Sequence, residues 1–277
     1  MPVSEEDRAA IAERILAVGD AASSIAPITD ALAGFDLADA YSVSAMVTRL
    51  RVARGERPVG WKIGFTNRTI WDEYGVHAPI WGPMYASTVE ERDPAQGPLA
   101  CPIGHLVEPR IEPEIALRIA ATPHGGMDEG ELMSCIDGVA HGFEIVQSIF
   151  PGWIFKAADT VAAFALHGSY RHGPFARVET ADRDAWRGML SGFEIALSRN
   201  GDTVDVGVAT NVLGGGPLSA LRHLVRGLAK HPNDYGLRPG DIVTTGTLTR
   251  AFPISRGERW STRLTGLTLP GMSIVFE

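Results

Sequence analysis

Between Arg110 and Ile119 apolar and polar residues alternate, with Ile111, Ile115, Leu117 and Ile119 on one parity and Glu112, Glu114, Ala116 and Arg118 on the other. A period of two predicts a half-buried β-strand. Pro113 falls inside it and lacks a backbone donor, which predicts an edge strand or a neighbouring bulge. Earlier in the chain the period is helical. Ser4-Glu-Glu-Asp7 has the form of a capping box with Asp as its acid, and Ile11, Ile15 and Leu16 follow at helical spacing. A second helix is predicted from about Leu37 to Ala53, with Tyr41, Met46, Val47, Leu50 and Val52 as its apolar residues and Gly55 and Pro58 closing it.

From Gly60 the texture changes to short apolar runs punctuated by glycine and proline, a β-rich signal. The run from Phe193 ends in an Asn200-Gly201 turn, and Val204 to Val208 returns as the hairpin partner. Leu221, Leu224, Val225 and Leu228 share one face of a helix predicted over Leu218 to Leu228. Leu237 to Gly246 reads as a turn entering a strand, and Met272 to Phe276 as a closing strand. There are no repeats and no low-complexity tract. The expected organisation is a helical portion over 1–59 and one continuous β-rich domain over 60–277.

Composition narrows the function classes. At 277 residues, with 45% hydrophobic and 21% charged, the chain has the make-up of a soluble globular protein with a substantial core. A net charge of -8 argues against non-specific nucleic-acid binding and against attachment to an anionic membrane. No apolar run approaches the length of a membrane span. The opening run Met1-Pro-Val-Ser-Glu-Glu-Asp7 is acidic where a signal peptide would be basic. Two cysteines, Cys101 and Cys135, suggest neither a disulfide framework nor a cysteine-based zinc site, so the expected compartment is the cytoplasm.

The chemistry concentrates on carboxylates. Glu112 and Glu114 are spaced i, i+2 and point to one face of their strand, and Glu144 lies in the apolar run His141-Gly-Phe-Glu-Ile-Val146. Charge buried in such runs needs a partner, and a hard divalent cation is one that carboxylates suit. A solvated strand face is the competing reading of the same spacing.

Six segments in order resemble the 2-keto-4-pentenoate hydratase branch of the fumarylacetoacetate hydrolase superfamily, and the likeness spans nearly the whole chain. They are Trp61-Lys-Ile-Gly-Phe-Thr66, Ile111-Glu-Pro-Glu-Ile115, Phe143-Glu-Ile-Val146, Trp153 to Ala162, Asn211-Val-Leu213 with Pro217-Leu218, and Leu237 to Val243. The resemblance implies an α+β protein: a mixed β-sandwich roll preceded by N-terminal helices, commonly a homo-oligomer. It also implies Mg²⁺ or Mn²⁺ held by Glu112, Glu114 and Glu144, with Lys62 beside a small 2-oxo acid substrate. In this family the cation stabilises an enolate. The leading expectation is therefore a hydratase of a 2-hydroxydienoate-type acid. A C–C hydrolase of a diketo acid, a 2-oxo acid decarboxylase and a catalytically inactive binding protein are the alternatives.

The sequence departs from the branch at three places. Ile80, in Gly75 to Gly82, stands where an aspartate is expected; Ala163-Phe-Ala-Leu166 replaces a polar Asp-Asn-x-Ser pattern; and Gln147 replaces an acid. His167 is the candidate replacement acid or base, with a satisfied core histidine as the alternative. His77 is a weaker candidate of the same kind. Trp71, Ile80, Trp81 and Phe164 suggest an apolar substrate pocket. Arg68 is a candidate for a distal substrate carboxylate, and Thr247, in Thr245-Gly-Thr247, for hydroxyl or backbone donors near the substrate.

Overall fold

A computed structural model describes residues 3–230 and 236–277. Met1 and Pro2 of the acidic opening run lie outside them. Ser4 caps the helix Glu5–Asp20, its hydroxyl accepting from the Asp7 N–H while the Asp7 carboxylate accepts from the Ser4 N–H. The helix Leu37–Ala53 has the expected bounds and an Asp36 capping box. Its buried face differs from expectation. Ala40, Val43, Ser44, Val47 and Thr48 are buried, whereas Val52 is exposed and Tyr41, Met46 and Leu50 are half-buried. Small residues face inward because this helix packs closely on the helices Glu5–Asp20 and Ala157–Ala162.

Fourteen strands are present among the described residues. In chain order they are β1 (Pro58–Gly64), β2 (Ile80–Tyr85), β3 (Val89–Glu91), β4 (Leu99–Cys101), β5 (Arg110–Ile119), β6 (Ile136–Val146) and β7 (His167–His172). There follow β8 (Ala176–Arg177), β9 (Glu194–Arg199), β10 (Asp202–Val208), β11 (Ile242–Thr244), β12 (Phe252–Pro253), β13 (Arg259–Thr265) and β14 (Ser273–Phe276). The larger sheet runs β2-β1-β11-β5-β6-β7-β3, with β12 on β5 and β8 on β6; the smaller runs β10-β9-β13-β14-β4. The β9–β10 hairpin turns at Asn200-Gly201, and the helix Pro217–Leu228 buries Leu221, Leu224 and Val225, both as the sequence predicts.

Two expectations for β5 are corrected. The strand lies between β11 and β6, not at an edge, and it is buried on both faces. Pro113 is tolerated because its side of the ladder falls in the gap between β11, which pairs with Ala116 to Arg118, and β12, which pairs with Arg110 and Ile111. The Pro113 carbonyl faces that gap and accepts from the Leu248 N–H at 3.2 Å, so the missing donor breaks no strand pairing. One face of β5 (Ile111, Ile115, Leu117, Ile119) packs on the helices Arg183–Gly192 and Pro217–Leu228 and on the smaller sheet, through Trp186, Leu221, Leu197 and Trp260. The other face carries the glutamates. The N-terminal helices close that end, sharing an apolar cluster with Phe65, Ile80, Val146 and Val161.

Candidate metal centre

Strand register assembles the carboxylates. β5 and β6 pair antiparallel with Glu112 opposite Glu144 and Glu114 opposite Gly142. Directly opposed residues share a face, and like charges there repel unless something intervenes. Position 142 must be glycine, since a Cβ would meet the Arg171 carbonyl oxygen at 2.5 Å. Lys62 joins the same face through β11, pairing with Thr244, which pairs with Ala116. One oxygen each of Glu112, Glu114 and Glu144 lies within 4.8 Å of the others. Glu114 and Glu144 are fully buried, and Glu112 is 9% exposed. The solvated-face reading of these glutamates therefore fails.

The two deepest carboxylates are built alike. Glu114 Oε2 accepts from the Gly246 N–H at 2.9 Å, and Glu144 Oε1 accepts from His167 Nδ1 at 2.8 Å. Their other oxygens, Glu114 Oε1 and Glu144 Oε2, are buried without a hydrogen-bond partner. Glu144 Oε2 has only the Lys62 ammonium, at 3.4 Å; anionic oxygens without hydrogen bonds in a dry site are costly, and a further cation is what they fit. Gly246 has φ +90°, and a Cβ there would overlap the Thr66 side chain, so the backbone donor requires glycine.

Electrostatics agree. Burial pushes Glu112 up to about 7 and Glu114 well above the usual carboxylate range, with the neighbouring glutamates adding to the Glu114 shift. Burial acts the same way on Glu144, but Lys62 and His167 outweigh it and hold that group below its ordinary value. Burial disfavours the Lys62 ammonium, yet the three glutamates, Glu144 foremost, raise its pKa. Lys62 Nζ lies 3.4 Å from Glu144 Oε2 and donates to the Ala165 carbonyl at 2.9 Å. That carbonyl is presented by a strained turn: Phe164, Ala165 and Leu166 have φ of 59°, 50° and 65°. Left-handed conformation at a non-glycine residue costs about 1–3 kcal/mol.

A narrow groove opens from Lys62, Glu112 and Thr247, walled by Phe65, Ile70, Tyr74, Trp153 and Leu166. The remaining sequence candidates scatter. Ile80 is buried near Lys62 but does not line the groove: an ideal Cβ on Gly64 would be 3.2 Å from Lys62 Nζ and 3.3 Å from Ile80 Cγ1. Trp81 faces away, stacking on Tyr41 at 4.6 Å and walling a separate, roomier cavity with Trp61. The Phe164 ring lies against Gly19 of the first helix, and only its neighbour Leu166 reaches the groove. Arg68 is exposed beside Trp71. His77 is exposed too, 3.9 Å from Asp72. Thr247 lines the groove while its hydroxyl donates to the Thr249 carbonyl at 3.0 Å. Gln147 braces a loop by accepting from the Val107 N–H at 3.1 Å. Sequence reasoning missed Tyr74, Trp153 and Arg110. Arg110 Nη1 donates to the Tyr74 hydroxyl at 2.7 Å, and its guanidinium lies 4.2 Å from the Trp153 ring centre.

Residues 83–269, most of the chain, match the family model described as fumarylacetoacetate (FAA) hydrolase C-terminal. The chain belongs to the fumarylacetoacetate hydrolase family. Within it, the chain is 30% identical to a 2-hydroxyhexa-2,4-dienoate hydratase of Comamonas testosteroni, with 89% of each sequence covered. It is 29% identical to a 4-oxalocrotonate decarboxylase of Pseudomonas putida, with 96% of each covered. Among solved structures it resembles the 4-oxalocrotonate decarboxylase from Pseudomonas putida G7 complexed with magnesium and adipate. That match has a TM-score of 0.87 and 27% identity, covering 99% of this chain and 98% of that one. The family and the α+β fold inferred from the sequence are thus borne out. Among the described residues no helix is long and apolar enough to cross a membrane.

Proposed function

We propose that this protein is a divalent-metal-dependent hydratase that adds water to a 2-hydroxydienoate or 2-oxo-enoate acid. The observation that carries the reading is the pair of buried carboxylates, each with one oxygen held by an N–H donor and the other without a hydrogen bond, Glu144 Oε2 having only the Lys62 ammonium at 3.4 Å. Glu112, Glu114 and Glu144 would hold the cation, Mg²⁺ or Mn²⁺. When bound, the cation supplies Lewis acidity that favours the enolate form of a 2-oxo acid. The three carboxylates carry a formal charge of about -3, which a divalent cation and Lys62 together neutralise.

The protein's own groups do the rest. Lys62 has three donors, of which one reaches Ala165 and one side faces Glu144; the remaining N–H is free to bind a substrate carboxylate or enolate oxygen. Phe65, Tyr74, Trp153 and Leu166 exclude water from the groove and select an apolar substrate chain. Assembly into a homo-oligomer belongs to the same proposal and is read by light scattering.

Decarboxylation of a 2-oxo acid is the second reading. It is favoured by the tethering of both ring nitrogens of His167, which leaves the groove without a free histidine to activate water. Incubation with Mg²⁺ and a panel of 2-oxo and 2-hydroxydienoic acids, with products weighed by mass spectrometry, separates the two. Gain of one water supports hydration, and loss of CO₂ supports decarboxylation. Cleavage into two acids would refute both.

A further inference from the structure

We propose that His167 is a positioning residue that fixes the Glu144 carboxylate for the cation, and not an acid or base acting on substrate. The inference rests on the metal-site reading above. Its first support is where the ring lies. His167 is 4% exposed, Nδ1 is 2.8 Å from Glu144 Oε1 and Nε2 is 2.9 Å from Thr88 Oγ1, so neither nitrogen is offered to the groove. Leu166 lines the groove there instead.

The second support is the backbone. β6 and β7 pair Glu144 with Tyr170 and Ile145 with Ser169, but the next pair is Val146 with His167, across a register shift. Regular alternation would put His167 on the face opposite Tyr170 and Glu144. A bulge at Gly168 re-aims it toward Glu144. A side chain at 168 is excluded, because a Cβ would meet the Ile145 carbonyl oxygen at 2.5 Å. The irregularity has a local product, the His167–Glu144 contact.

The third support is proton accounting. An ionised carboxylate only accepts, so Nδ1 carries a proton and donates it to Glu144 Oε1. Nε2 rests against the Thr88 hydroxyl, which the Tyr85 backbone anchors: Thr88 Oγ1 accepts from the Tyr85 N–H at 3.3 Å and is placed to donate to the Tyr85 carbonyl at 3.0 Å. Thr88, His167 and Glu144 thus form a chain that ends in one held oxygen and leaves Glu144 Oε2 turned toward its neighbours. Partners of this kind typically change metal affinity by about 10–100-fold when removed.

The test is Mn²⁺ affinity, measured by electron paramagnetic resonance or calorimetry on the purified protein. His167→Leu should weaken binding about 10–100-fold, whereas His167→Asn, whose amide can replace the Nδ1 donor, should restore it to within about threefold of wild type. Thr88→Val removes only the supporting hydroxyl and should weaken binding about threefold; it decides the question if His167→Leu does not fold. Wild-type affinity in His167→Leu or Thr88→Val, or equal losses in His167→Leu and His167→Asn, overturns the positioning role. Loss of kcat in His167→Asn with Mn²⁺ affinity intact would overturn it in favour of an acid–base role. Glu144→Gln separates the two layers. Unchanged Mn²⁺ affinity in that variant sinks the metal-site reading itself, while weakened binding there with none in His167→Leu sinks only the positioning role.

Discussion

The site has two halves built in different ways. Glu112, Glu114 and Glu144 stand on the paired strands β5 and β6 and Lys62 on β1, separated from β5 by β11, and strand register decides that they meet. The groove walls come instead from connecting segments: Phe65, Ile70 and Tyr74 between β1 and β2, and Trp153 and Leu166 between β6 and β7. A register cannot slip by one residue without turning every side chain to the other face, whereas a loop can be rebuilt at little cost to the sheet. Two of the three departures from the family pattern, 163–166 and Gln147, fall in the connection between β6 and β7, and the third, Ile80, opens β2; none replaces a glutamate of the trio. On the proposed function, the sheet half would fix the chemistry available, and the loop half would select the substrate and the reaction.

The sheet half is broken most severely at Glu114. Glu114→Gln preserves shape and leaves an amide oxygen for the Gly246 N–H, but removes the charge. Metal affinity should fall by about a hundredfold or more, because oxygen ligands for hard cations depend on that charge. The melting temperature of the metal-free protein at pH 8 should hold or rise, since the substitution relieves a buried carboxylate that resists ionisation. Undiminished affinity in calorimetry would remove Glu114 from the ligand set.

A smaller effect follows from Glu112. Burial moves its carboxyl from 4.5 in the free state to about 7 in the fold. The folded state binds that proton more tightly than the unfolded chain does. Its contribution to stability is therefore fully present below about pH 4.5 and is lost as the pH rises through 7, a change of about 3 kcal/mol. A cation that takes the proton's place would reverse the trend. Thermal melts in chelator should show stability declining between pH 5 and 7.5, and melts with saturating Mg²⁺ should show a protection that grows across the same window. Parallel curves with and without Mg²⁺ would contradict the exchange of proton for metal.

How much of this is legible in the sequence differs between the halves for the same reason. The alternation over 111–119 puts Glu112 and Glu114 on one face without any structure. That Glu144 stands opposite Glu112 is a matter of pairing, which alternation cannot reveal; the family resemblance supplied it. Period two reaches further than the glutamates. Arg110 shares parity with Glu112, and Ile80 and Trp81, as neighbours in β2, cannot both face one pocket. The loop half resisted for physical reasons. Left-handed backbone at Phe164, Ala165 and Leu166 runs against the preference of every residue involved and is imposed by the packing around it. His167 points at Glu144 only because of a bulge, and bulges leave little trace in composition.

The mildest perturbation tests whether the loop half acts separately from the sheet half. Tyr74 presents its ring to the groove while its hydroxyl holds Arg110, which stands two residues before Glu112 on the same face of β5. Tyr74→Phe keeps the apolar wall and releases only that hydrogen bond. The loss should lower stability by about 1 kcal/mol, a shift of roughly 2–4 °C in melting temperature for a chain of this size. Mn²⁺ affinity should stay within about twofold of wild type, because no hydrogen bond joins Tyr74 to the carboxylates, while KM should rise by a few fold as the freed Arg110 disturbs the wall beside Trp153. If metal affinity falls in step with KM, the two halves are coupled through Arg110 and Glu112, and the division of labour between sheet and loop would have to be redrawn with Arg110 as its joint.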